Sequence, residues 1–101
     1  MARVRFMRRA RRDLHQLWQW IDAANGERRA DEITARIVRR IATLETFPML
    51  GPACPDFDET ARTLLVMRWI VVYSVYDAEV RNVRIFDSSS DLFRQMLGPS
   101  G

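Results

Sequence analysis

The chain has 101 residues, 48% hydrophobic and 29% charged, which suits one domain with one core and excludes the low-hydrophobicity, high-charge composition of a disordered chain. Its one cysteine, Cys54, excludes an intramolecular disulfide and has no Cys or His cluster around it at metal-ligand spacing, so a reducing cytoplasm fits and no metal or cofactor is expected. All 16 basic residues are arginine; residues 1–12 carry six of them and no acid, which leaves 10 arginines against 13 acids in the remainder, so +6 sits beside −3. That imbalance points to an acidic partner, or to no more than the solvated faces of a strand and a helix.

Residues 2–7 alternate, with Val4 and Phe6 on one side and Arg3 and Arg5 on the other, which predicts a half-buried first strand. From Ala10 the period changes. Ala10, Leu14, Leu17, Trp18 and Ile21 recur at helical spacing, so a helix is expected over about 8–24, stopped by Asn25-Gly26. Ala30, Ile33, Ile37, Ile41 and Leu44 form a second stripe, for a helix over about 27–46 ended by Pro48. So short a link allows only an antiparallel helix hairpin, whose apolar stripes need a common cover.

Gly51, Pro52 and Pro55 mark 47–60 as a loop. Strands follow near 62–66, 69–76 and 80–86, with Asp77-Ala78-Glu79 as a hairpin turn. The middle strand is apolar on both faces, as a strand covered on both sides should be. Ser88–Ser90 can cap a short last helix in which Leu92, Phe93, Met96 and Leu97 pack and Gly98-Pro99 stop the chain. The expected fold is α+β: an N-terminal strand, an antiparallel helix hairpin over a mostly antiparallel four-stranded sheet, and a short C-terminal helix, in a single domain spanning 1–101. Leu14, Leu17, Ile33, Ile37, Ile41, Leu64, Val71, Tyr73 and Ile85 should build the core. No stretch approaches the ~20 apolar residues of a membrane span, and the N-terminus lacks the apolar core of a signal peptide.

No Gly-rich phosphate loop, GxSxG elbow or paired metal ligands occur, so no catalytic residue is assigned. His15 reads as a surface or boundary residue, and Cys54 as an inert loop thiol. Trp20 projects more than 100° from the first helical stripe, which makes it either a docking anchor or a residue covered by the loop or the last helix.

Ala10, Asp13-Leu14 and Trp18, then Phe47-Pro48-Met49-Leu50-Gly51, Arg62-Thr63-Leu64, Ile70-Val71-Val72-Tyr73-Ser74-Val75 and Val83-Arg84-Ile85-Phe86 together resemble the ParE toxins of the ParE/RelE superfamily over about residues 3–91. The resemblance implies a cytoplasmic toxin, non-enzymatic, that poisons DNA gyrase and is held inactive in a hetero-oligomer by a cognate, ParD-like antitoxin. The related RelE branch cleaves messenger RNA on the ribosome. This chain has no Lys, and Asp87-Ser88-Ser89-Ser90 stand where the family often ends its last strand with a His and a basic residue, so a ribonuclease site lacks an obvious general acid or base, and Tyr73 with Arg62 and Arg68 could form only a reduced one. Arg62, Arg68, Tyr73 and Arg94 are the candidates for contact with the target. For the antitoxin, Trp20 with Val38 and Ala42 would anchor apolar residues, and Arg36 and Arg39 would pair with acids at the rim. A plain nucleic-acid-binding module using the first six arginines is a third reading.

Overall fold

A computed structural model describes residues 2–96. The alternating N-terminus forms strand β1 (Arg3–Phe6), and the two helical stripes form α1 (Arg8–Asn25) and α2 (Glu27–Ala42). Gly26 alone joins the helices: its φ of 93° lies in a region that residues with a Cβ avoid, and its N–H caps the Asp22 carbonyl. The hairpin is antiparallel, and the Trp18 indole N–H donates to Asp31 Oδ1 at 2.8 Å across it.

The second helix stops earlier than its apolar stripe suggests. Ala42 is its last α-helical residue, and Thr43–Glu45 continue as a 3₁₀ turn that still buries Leu44. The cause is local: the Thr43 hydroxyl donates to the Arg40 carbonyl at 2.6 Å, a side-chain bond that competes with the helical ladder.

Strands β2 (Ala61–Val66), β3 (Trp69–Tyr76) and β4 (Glu79–Asp87) form a meander, and β1 joins it parallel to β4, giving the order β1-β4-β3-β2. Both meander turns are two residues long and open on a residue of positive φ, Met67 at 57° and Asp77 at 52°. Glu79 therefore begins β4 instead of belonging to the turn. The short helix α3 covers Asp91–Met96. The expected packing of the Leu92, Met96 and Leu97 side chains and the stop at Gly98-Pro99 fall outside the described residues.

The helix hairpin covers one face of the sheet. Leu17, Ile21, Ile37, Ile41 and Leu44 meet Leu64, Val66, Val71, Tyr73, Val80 and Ile85 in one core, with Leu14 and Ile33 half-buried at its margin. On the other face Ala61, Val72 and Phe86 are covered by Cys54 and Phe57 from the loop and by Phe93 from α3. The middle strand is therefore buried on both sides, as its apolar run over residues 69–73 requires. His15 is exposed, and Cys54 is half-buried against this second face.

The position of α1 on the sheet is set by a carboxylate. Val83 is an extra residue in β4, because Val72 pairs with Arg84 while Tyr73 pairs with Asn82. Met7 N–H still bonds the Asn82 carbonyl; beyond that point Asp13 of α1 takes over, accepting from the Ile85 N–H at 2.9 Å and from Arg84 Nε at 2.8 Å and Nη2 at 3.3 Å. Both charged side chains are nearly buried. Asp13→Ala would leave a buried guanidinium and a backbone N–H without their acceptor, and we expect it to cost about 3–5 kcal/mol in urea unfolding. His15→Ala, on the solvent side of the same helix, should change stability by no more than about 0.5 kcal/mol.

Candidate functional site

Tyr73 and Arg62 face each other across β3 and β2, and both are engaged in holding the loop after α2. The Tyr73 hydroxyl accepts the Gly51 N–H at 2.9 Å, and the Arg62 guanidinium donates to the Gly51 and Met49 carbonyls. Gly51 is needed because a Cβ there would stand 1.9 Å from the Thr63 carbonyl oxygen. Tyr73 is fully buried, so the expectation that it touches a target is corrected: its ring belongs to the core and its hydroxyl to the loop. Burial also pushes its hydroxyl above the usual phenol range, against the opposing pull of the Gly51 N–H and of Arg62.

Arg68 lies elsewhere, at the tip of the β2–β3 turn. Its guanidinium rests 5.3 Å from the centre of the Trp20 ring and 5.4 Å from that of Trp69, and the two indoles meet edge to face at 6.1 Å. The same guanidinium pairs with Asp87, which also accepts from the N–H and hydroxyl of Ser89. Burial works against the Asp87 charge, but these donors outweigh it and hold its pKa below the ordinary carboxylate range. Trp20 is thus neither covered by the last helix nor free-standing; it remains 54% exposed as the outer member of a stacked cluster. Arg94 is exposed on α3.

The candidate antitoxin residues divide around α2. Arg36, Arg39 and Arg40 line a cleft of about 420 Å³ with Thr43 and with Leu65, Val66 and Met67 of the β2 end. A second cleft, about 390 Å³, shares Met67 and continues past Arg68 and Trp69 to Trp20, Ile21, Asn25, Arg29 and Ile33. One flank of α2 therefore brings Trp20, Arg36, Arg39 and Arg68 together. Val38 is not part of it: it lines a third cleft, with Phe6, Leu14, Arg5 and Arg11, on the α1 side of the helix. Ala42 is exposed and lines none of these three clefts.

Leu65 and Met67 escaped the sequence reading, as did the exposure of Phe47, Met49 and Leu50 in the loop. The available signal was phase: in β2 Leu64 and Val66 point inward, so Leu65 between them must point out.

Two outcomes follow from this geometry. Gly51→Ala should destabilise the fold by about 1–3 kcal/mol, since the new methyl meets backbone that cannot swing aside, and thermal unfolding would register it. The Arg68–Asp87 contact, with Asp87 depressed in the folded state, stabilises fully above the ordinary Asp value of about 3.9 and is lost as pH falls through the lower folded value. A tryptophan fluorescence change with a midpoint below that ordinary value, absent in Asp87→Asn, is the expected result of an acid titration.

The sequence profile of the family described as "ParE toxin of type II toxin-antitoxin system, parDE" matches residues 4–92. Among solved structures, a chain from the "Chromosomal ParDE TA system from P. aeruginosa" superposes with a TM-score of 0.76 at 21% identity, over 86% of this chain and 96% of that one, a likeness of fold. No curated protein sequence matches significantly. With the profile spanning nearly all of the described strands and helices, the chain belongs to the ParE toxin family of type II toxin–antitoxin systems.

Proposed function

We propose that this ParE toxin acts by docking on DNA gyrase and blocking its cycle, and that a ParD-like antitoxin silences it by covering the toxin surface. The observation that carries the non-enzymatic reading is the fate of the three residues on which a ribonuclease centre would draw. Tyr73 is sealed in the core with its hydroxyl occupied, Arg62 is spent on two loop carbonyls, and Arg68 stacks on Trp20 and Trp69 at the opposite end of β3. A general base for a 2′-hydroxyl must reach its proton within hydrogen-bond distance, and a phosphate needs free cationic donors beside it. Tyr73 cannot reach a substrate's 2′-hydroxyl, and the two arginines that would serve a phosphate beside it are held apart on different contacts. A toxin acting through contact needs instead a rigid surface with exposed apolar and arginine side chains, which the flank of α2 and the tip of the β2–β3 hairpin provide.

Purified toxin should inhibit gyrase supercoiling in a dose-dependent manner, leave messenger RNA intact on translating ribosomes, and lose the inhibition when its antitoxin is added. Cleavage of ribosome-bound messenger RNA with gyrase unaffected would replace this reading with the RelE-type one.

A further inference from the structure

The geometry points to the flank between α2 and β2 as the seat of an extended segment of the antitoxin, one in which acidic residues alternate with apolar ones. This rests on the antitoxin reading above and specifies which surface and what chemistry serve it.

Three observations converge there. The first is backbone. Strand β2 is an edge of the sheet, and its outward hydrogen-bonding groups alternate: Ala61 O accepts from Cys54 N–H at 2.8 Å and Thr63 N–H donates to Pro52 O at 3.0 Å, so the loop blunts the first half of the edge. Leu65 is next in the alternation, and on that side its N–H and C=O have no backbone partner among the described residues. An open edge of this kind accepts another strand.

The second is apolar surface. Leu65 is 62% exposed and Met67 37%, and through Met67, which the two clefts share, the line continues to Trp20. Such a concentration marks an interaction surface, unlike apolar residues scattered singly.

The third is charge. Arg36, Arg39 and Arg40 stand over the Leu65 end of the flank, and none of them has an acidic partner among the described residues. Arg39 and Arg40 complement the C-terminal end of the α2 dipole, but Arg36 sits a turn earlier and gains little from it. A strand added to β2 presents its side chains alternately toward the helix and toward the outer face of the sheet. Acids on the helix side would meet the three arginines, and apolar residues on the other would cover Leu65. A nucleic acid would satisfy the arginines, but not the open backbone edge or the apolar line.

The test uses the full toxin and its purified antitoxin, with binding followed by calorimetry and neutralisation by recovery of gyrase activity. Leu65→Pro removes the outward N–H without touching the ladder to β3, and Arg36→Glu with Arg40→Glu reverses the rim on an exposed helix surface that does not set the fold. Each should weaken antitoxin binding at least about tenfold while the toxin keeps its circular dichroism. Arg8→Glu with Arg12→Glu, on the outer ridge of α1, should bind as wild type does. Should Leu65→Pro misfold, the arginine reversal decides alone. Wild-type affinity in the groove variants overturns the inference while leaving the antitoxin reading intact. Failure of the antitoxin to bind wild-type toxin overturns both. Loss of duplex DNA binding in the arginine variants, with antitoxin binding unchanged, assigns the flank to nucleic acid instead.

Discussion

The carboxylate of Asp13 does the work of a missing strand. Strand β1 ends at Phe6, and the extra residue Val83 turns the backbone of β4 so that the Ile85 N–H points toward α1 and not into the ladder. Asp13 accepts that N–H and the Arg84 guanidinium at once, while the same guanidinium lies 4.4 Å from the centre of the Phe86 ring. Bringing both charges out of water consumes much of what their attraction returns, so the pair is better understood as fixing geometry than as adding net stability. It fixes the placement of α1 over β4. Through the one-residue link at Gly26 it thereby places α2, and with α2 the flank that faces β2.

A second constraint acts at the other end of the hairpin. The loop after the 3₁₀ turn carries three exposed apolar side chains, Phe47, Met49 and Leu50, an arrangement that would collapse or flex if its backbone were free. It is not free, because Gly51 is pressed against Thr63, bonded to the buried Tyr73 hydroxyl and gripped through its carbonyl by Arg62. A buried tyrosine whose only polar atom is satisfied by a backbone N–H is a rigid post, and the loop inherits that rigidity. The residues that look chemically suggestive in the sequence thus serve to present apolar surface.

Periodicity was enough to read the hairpin, the strand order along the chain and the doubly buried middle strand, since each follows from local spacing of apolar residues in 10–44 and 61–86. What depends on tertiary contact was not legible. Tyr73 lies in a strand apolar on both faces, and nothing local says that its hydroxyl meets a loop glycine 22 residues away. Trp20 was correctly placed off the helical stripe, but its partners Trp69 and Arg68 come from the far end of the chain. Grouping Trp20 with Val38 and Ala42 failed for a reason that was available beforehand. At 100° per residue Val38 and Ala42 share one side of α2 and Arg36 and Arg40 the other, so no single flat partner surface holds all of them.

The hairpin also converts a sequence asymmetry into a spatial one. Antiparallel pairing sets the start of α1, with Arg8, Arg9, Arg11 and Arg12, beside the end of α2, with Arg36, Arg39 and Arg40, while Asp22, Glu27, Asp31 and Glu32 gather toward the Gly26 turn. One end of the molecule is then strongly cationic although the net charge is only +3. No acid offsets the arginines in the first turn of α1, where the helix dipole is already positive, so their placement costs a little stability. A field of this shape draws an acidic chain toward the open end of the hairpin from about a Debye length away, some 8 Å at physiological salt, but does not choose where it settles. That choice falls to short-range features, an open backbone edge and apolar side chains in line, and these occur on the β2 side of α2 and not along the outer ridge of α1. Long-range charge and local contact therefore divide the labour: the first governs how fast an acidic partner arrives, the second where it stays.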